Sequence, residues 1–242
     1  MPLQATSGAA SYDGFGGGAA AVPNYIEDVF STYVYTGTGA TQTITNGIDT
    51  TTYGGLVWTK ARYLGISHRL VDTARGATYE MSSDTTDASS VNSTGLTSFG
   101  TTGYTIGSAG GYNNSGGTYV SWTFREQPKF FDVVTFTQVG TGGTQTISHN
   151  LGSVPGCIIF KAINQVDDWY TYHRSIPTQR IRLNTTAAAN SSDTNVANTL
   201  TSTTFGFNVG NAGNANGTQF VAYLFAHDAG GFGLTGTDNV IS

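Results

Sequence analysis

The stretch that decides the fold is "GGTYVSWTFREQPKFFDVV", residues 116–134. Every second side chain from Val120 to Phe124 is apolar, while Ser121 and Thr123 between them are polar. This period of two predicts a half-buried β-strand. A charged, proline-containing elbow follows, and "FFDVV" then opens another strand. The stretch therefore predicts a junction between two strands.

The same junction divides an internal duplication. Short motifs before it return after it in the same order, 101–105 residues later. Chance repetition in a sequence of biased composition would not keep that order. The matched motifs are TQTITN (41–46) with TQTISH (144–149), GGLVWTK (54–60) with PGCIIFK (155–161), GYTIG (103–107) with GFNVG (206–210), GTYVSWTF (117–124) with GTQFVAYLF (217–225), and HR (68–69) with HR (173–174).

Composition sets the fold class. The 242 residues include 39 Thr and 33 Gly, and only 10% are charged. Thr favours pleated backbone and Gly favours turns, so neither residue builds helices. We predict an all-β chain of two tandem antiparallel β-sandwich modules, jelly-roll-like, over residues 26–127 and 128–229. An extended, Gly/Ala-rich N-terminal arm (1–25) precedes them, and residues 230–242 form a tail or the start of a further segment.

Charge and cysteine content exclude several classes of partner. The net charge is −5 without a run of Lys or Arg, so we expect no nucleic-acid binding. The N-terminus has neither a signal peptide nor an apolar span, so we expect no membrane insertion. Cys157 is the only cysteine, which excludes disulfides and thiolate zinc sites. We predict no cofactor and no metal ligand.

Catalytic residues are not evident either. Glycosidases need two positioned carboxylates, but neither Glu27, Glu80 nor Glu126 recurs at its matching place in the other module. Ser67 beside His68 lacks a nucleophile-elbow motif. The sequence therefore predicts that the protein is not an enzyme.

Charged and imidazole side chains in the first module allow two interpretations each. His68 matches His173 in the duplication, which suits a shared metal or proton-switch role, but a structural hydrogen bond is the favoured interpretation. Arg69, Asp72 and Arg75 are spaced three residues apart. They predict either a local ion-pair network or a solvated surface turn.

The aromatic run "DWYTYH" (168–173) also leaves two interpretations open. Trp169, Tyr170 and Tyr172 could contact a carbohydrate or a protein partner. Alternatively they pack into the core, which is the favoured interpretation because most large aromatic side chains are substantially buried.

The N-terminal arm contains scattered apolar residues in a small-residue context: Leu3, Tyr12, Phe15 and Tyr25. Such a segment buries too little surface to fold alone. It is predicted either to dock along another protein or to be a plain disordered tail.

The motifs "GGLVWTKARYLGISHRLVDTARG" (54–76), "YVSWTFREQPKFFDVV" (119–134) and "ISHNLGSVPGCIIFK" (147–161) with "DWYTYH" resemble a repeated module of virion structural proteins. These are tail-fibre and other virion proteins of marine bacteriophages, cyanophages included. The resemblance covers residues 29–228. It implies a virion component, usually a tail fibre or appendage, and brings no catalytic residue with it.

On this basis we expect synthesis in the host cytoplasm and assembly into the virion. The expected partners are other virion proteins, namely a tail adaptor, a nozzle or the capsid, and further copies of the chain in a homotrimer. One alternative is a lectin-like adhesin for host surface polysaccharide, and another is a capsid-decorating protein.

Overall fold

A computed structural model describes residues 24–191, 196–197, 199–209 and 215–239. The predicted arm residues Leu3, Tyr12 and Phe15 lie outside this part of the chain. The described chain is all-β, as predicted, with antiparallel sheets joined by turns.

The first module begins with a 3-10 turn (Ile26–Asp28) and contains two short helices, α1 (Thr50–Tyr53) and α2 (Gly110–Asn113). Asp49 caps α1, because its side chain accepts hydrogen bonds from the backbone N–H groups of Thr51 and Thr52. The strands are β1 (Phe30–Thr36), β2 (Gln42–Thr45), β3 (Gly55–Ala61), β4 (Arg69–Asp72), β5 (Tyr79–Glu80), β6 (Ser90–Val91), β7 (Leu96–Phe99), β8 (Gly103–Ile106) and β9 (Thr118–Arg125).

The second module repeats this plan without the short helices in its described part. Its strands are β10 (Phe131–Thr137), β11 (Thr144–Ser148), β12 (Cys157–Ala162), β13 (Tyr170–His173), β14 (Ile181–Arg182), β15 (Val196–Ala197), β16 (Thr204–Asn208) and β17 (Gln219–Phe225).

The strands that the two modules share follow the same order, and the second module adds β14 at the edge of its large sheet. The large sheet runs β1-β9-β3-β4 in the first module and β10-β17-β12-β13-β14 in the second. The small sheet runs β2-β8-β7 and β11-β16-β15, respectively, while β5 pairs with β6. In each module the first strand pairs with the last strand, and the second strand with the one before the last. This wrapped pairing is jelly-roll-like, and its repetition agrees with the internal duplication.

Three hydrophobic cores hold four layers together. One core fills each module between its large and its small sheet. The third core lies between the two large sheets, which face each other across the junction of the modules. Phe124 of β9 and Phe225 of β17, which match in the duplication, meet there edge to face with ring centroids 5.6 Å apart. The modules therefore share a core.

Strand β9 alternates as predicted, but its polar face is the better buried one. Ser121 and Thr123 are fully buried inside the first module. Asn46 donates a hydrogen bond from Nδ2 to Oγ1 of Thr123 (2.8 Å). The opposite face, which carries Trp122 and Phe124, faces the second module. Covering both faces requires the second module, which the alternation alone does not reveal.

The C-terminal segment packs against the folded modules. Residues 230–239 form a turn that inserts Phe232, 1% exposed, into the core between the modules. Gly233 donates a backbone hydrogen bond to the carbonyl of Asn24 (2.9 Å). Its φ of 75° suits glycine, and a Cβ there would overlap the carboxylate of Asp238. The predicted tail is therefore structural over residues 230–239.

Candidate functional site

The junction between the modules contains a buried ion pair. Asp72, at the end of β4, is fully buried, and its Oδ2 accepts hydrogen bonds from Nε of Arg75 (2.7 Å) and the hydroxyl of Tyr223 (2.8 Å). Arg75 also donates to Oγ of Ser89 and to the carbonyl of Leu70. Burial, followed by the charge of Asp72, raises the pKa of Tyr223 well above its usual value. The network joins β4 to β17 of the other module.

This arrangement decides between the two interpretations of the spacing of Arg69, Asp72 and Arg75. Asp72 and Arg75 form the ion pair, but they are buried under the second module and are not on a solvated turn. Arg69 points elsewhere, to Glu80 (3.4 Å) and to Oγ of Ser82. The local network is therefore confirmed for one arginine only.

Further polar side chains bridge the modules. Nε1 of Trp169 donates to the carbonyl of Ser82 (2.8 Å). Nζ of Lys161, a fully buried lysine, donates to the carbonyls of Thr86 (2.9 Å) and Asp167 (2.8 Å). Burial lowers the pKa of Lys161. These contacts satisfy side chains that would be costly to bury without partners.

Two carboxyl groups meet at the elbow of the junction. The carboxyl groups of Glu126 and Asp132, six residues apart in sequence, lie close enough to interact electrostatically. Asp132 is almost fully buried and accepts hydrogen bonds from the backbone N–H groups of Asn150 (2.6 Å) and Val133 (3.1 Å). Burial, followed by the charge of Asp132, raises the pKa of Glu126 to about 8. At neutral pH the carboxyl group of Glu126 is therefore largely protonated.

The carboxyl pair borders a cleft of about 340 Å³, which Tyr53, Gln127 and Pro128 also line. Sequence inspection missed this pair because it compared glutamates between the modules. The signal was the spacing of Glu126 and Asp132 across the elbow, where Gln127 and Phe131 exchange backbone hydrogen bonds.

A second, larger cleft of about 500 Å³ lies between the two modules. The first module contributes Tyr79, Arg75 and Ser89, and the second contributes hydroxyl, amide and apolar side chains. The second-module residues are Thr135, Phe136, Thr137, Ile163, Asn164, Gln219 and Phe220. Tyr79 is 46% exposed at this cleft. Sequence reasoning did not find this cleft, because its walls come from distant parts of the chain.

The predicted aromatic contact residues are core residues. Trp169 is fully buried between the modules, and it stacks on Tyr223. Tyr170 and Tyr172 point the other way into the core of the second module, and both are buried. The three rings therefore form no exposed platform for a sugar. The alternation along β13 separates them, as the core interpretation requires.

Among the predicted arm residues, the structure describes Tyr25. Its side chain is 40% exposed immediately before the 3-10 turn. Tyr25 donates its backbone N–H to the carboxylate of Asp28 (3.1 Å). An aromatic side chain is thus available where residues 1–23 join the folded part of the chain.

The matched histidines each accept one hydrogen bond at Nδ1. His68 accepts from Nε1 of Trp58 (3.0 Å), and His173 from the backbone N–H of Ser175 (3.2 Å). Burial, followed by the charge of Lys60, lowers the pKa of His68. These are the structural hydrogen bonds that the sequence favoured over a shared ligand role.

The single cysteine, Cys157, lies at the start of β12. Burial raises the pKa of the Cys157 thiol to about 11, so the reactive thiolate is disfavoured. Within the described residues, no three His, Cys, Asp or Glu side chains are grouped to hold a metal ion. No helix in the described part of the chain is long and apolar enough to cross a membrane.

Comparison with known proteins identifies a family. A family model described as "Domain of unknown function (DUF7483)" matches residues 26–237, which include both modules and the turn that carries Phe232. No curated protein and no solved structure matches the chain. Because the match spans most of the chain, this protein belongs to the DUF7483 family.

Proposed function

We propose that this protein is a non-enzymatic structural protein of a bacteriophage virion, a tail-fibre or appendage subunit that contributes to host attachment. The resemblance of the motifs at residues 54–76, 119–134 and 147–161 to phage fibre modules carries the proposal. Residues 1–25 would attach the subunit to a tail adaptor, a nozzle or the capsid.

The architecture supports a load-bearing role. The modules share a core, and a buried ion pair and the lysine Lys161 cross-link them. A body of this kind resists separation of its modules better than two domains joined by a flexible linker. The chain also has only three Lys and three Glu residues. Few long charged side chains need to be ordered when its surfaces are buried in an assembly.

Immunogold electron microscopy of intact phage particles tests the location. The antibody should be raised against the complete folded protein, because the two modules share a core. Gold on the tail or an appendage is expected. Gold spread evenly over the head would replace this proposal with capsid decoration. Absence from particles despite abundance in the lysate would refute a virion role.

Deletion of residues 1–23 tests the docking role of the arm. The truncated protein should keep its folded modules, since no described core residue precedes Val29. It should no longer enter particles. Normal incorporation of the truncated protein would refute docking through the arm.

We also propose that the subunit assembles as a homotrimer. Sedimentation equilibrium of the full chain should give three times the monomer mass of 25.3 kDa. A monomer at micromolar concentration would contradict the trimer without bearing on the location of the protein.

A further inference from the structure

We propose that the larger cleft between the modules binds a neutral oligosaccharide. The cleft has a volume of about 500 Å³, within the range of roughly 300–1,000 Å³ that is typical of ligand sites. It exists only because the modules are fixed against each other, since Tyr79 and Arg75 lie on one side and Thr137 and Gln219 on the other.

The chemistry of the walls fits a ligand rich in hydroxyl groups. Thr135, Thr137, Asn164 and Gln219 are exposed and offer hydroxyl and amide groups that both donate and accept hydrogen bonds. Oδ1 of Asn164 accepts from the backbone N–H of Gln219 (3.0 Å), which orients the amide. An uncharged ligand matches this wall better than an anion or a cation does.

Arg75 does not give the cleft a preference for anionic ligands. Its side chain is only 3% exposed and is neutralised by Asp72. Its three nitrogens already donate: Nε to Asp72, Nη1 to Ser89, and Nη2 to the carbonyl of Leu70 and the hydroxyl of Tyr223. An arginine has five N–H groups, so a remaining N–H on Nη1 can serve a sugar hydroxyl.

Tyr79 supplies a ring against which a sugar can stack. The apolar C–H face of a pyranose packs on an aromatic ring, and Tyr79 presents an exposed ring beside the apolar Phe136 and Ile163. Tyr79 is 46% exposed, so part of its ring is open to a ligand in the cleft.

The backbone before Tyr79 is strained. Thr78 has a φ of 72°, a left-handed conformation that is a genuine outlier for a β-branched residue. Hydrogen bonds hold it on both sides: its N–H donates to the carbonyl of Leu96 (2.9 Å), and its carbonyl accepts from Asn92 (2.8 Å). Strain of this kind clusters at ligand-binding positions. Here it fixes the direction of Tyr79.

A glycan array tests the proposal with the purified full chain. The array should carry neutral oligosaccharides of glucose, galactose, mannose and rhamnose beside sialylated and sulfated glycans, and the strongest neutral binder should be titrated by calorimetry. Tyr79→Ala and Gln219→Ala should each weaken this binding at least tenfold. Both residues are exposed, so the variants should stay folded. Tyr63→Ala removes a tyrosine of similar exposure (38%) that does not line the cleft, and it should bind like the parent protein.

Failure to bind any neutral glycan, binding of charged glycans alone, or unchanged affinity of the Tyr79 variant would each overturn the proposal. If the glycan belongs to a host surface, that assignment rests on the proposed function, whereas glycan binding by the cleft does not. The array uses no virus particles, so its failure is distinct from a failure of the immunogold experiment. Either proposal can therefore fail while the other holds.

Discussion

At the scale of single residues, the junction depends on Asp72. Asp72→Ala leaves the buried guanidinium of Arg75 without its carboxylate and the hydroxyl of Tyr223 without its acceptor. Removing one partner of a buried ion pair costs about 3–5 kcal/mol, so we expect a loss of this size in the free energy of unfolding in urea. Glu27→Ala removes an exposed carboxylate instead and should change stability by at most about 0.5 kcal/mol. Equal effects of the two variants would contradict the burial of the network.

Glu126 makes stability depend on pH. Its pKa is raised from 4.5 to about 8 in the folded protein, so the folded state holds the proton more tightly than the unfolded state. The resulting stabilisation is complete below about pH 4.5 and is lost as the pH rises through about 8. The free energy of unfolding should therefore fall between about pH 4.5 and 8 and level off above that range, as urea titrations at several pH values would show.

Glu126→Gln should flatten this pH dependence, because the amide cannot ionise. Glu27→Gln changes an exposed glutamate and should leave the pH profile of the parent protein unchanged. A parent protein whose stability stays constant from pH 4.5 to 8 would contradict the raised pKa of Glu126.

Sequence analysis identified the polarity of these residues but not their partners. The spacing of Asp72 and Arg75 indicated an ion pair, since residues close along the chain can meet locally. It could not indicate burial, which comes from Tyr223, 151 residues away. The same limit explains Trp169, whose position between the modules depends on contacts with the first module.

At the scale of elements, the strands were the most predictable feature. The alternation in β9 correctly separated its side chains into two opposite faces, because successive side chains of a strand point to opposite sides. What covers each face is decided by neighbouring sheets, so the buried polar face of β9 was not predicted. The C-terminal turn was missed for a similar reason. Residues 230–242 were predicted as a tail or the start of a further segment, whereas one phenylalanine anchors the turn in the shared core.

That anchor can be tested. Phe232→Ala should destabilise the protein by about 3–5 kcal/mol, as expected for truncation of a buried phenylalanine. Leu234→Ala, on the same turn but 80% exposed, serves as the matched control and should have little effect. The measurement is urea unfolding followed by tryptophan fluorescence. Loss of stability below about 1 kcal/mol in the Phe232 variant would show that the turn is not part of the core.

At the scale of the whole molecule, the duplication predicted two modules of one fold, and the strands that they share follow the same order. It did not predict that the modules share a core, because a repeat in sequence is compatible with beads on a string. Because the modules share a core, we expect them to unfold together. Differential scanning calorimetry should show one transition, with equal calorimetric and van't Hoff enthalpies. Two separable transitions would mean that the modules fold independently.

The contact between Phe124 and Phe225 also bears on the ancestry of the chain. Residues at matching positions of two copies touch each other at the axis of a two-fold symmetric dimer. A gene for a self-associating single module, duplicated and fused in frame, would leave such a contact inside one polypeptide. The elbow between β9 and β10 would then be the fusion point, and a chain divided there should reassemble from its two halves.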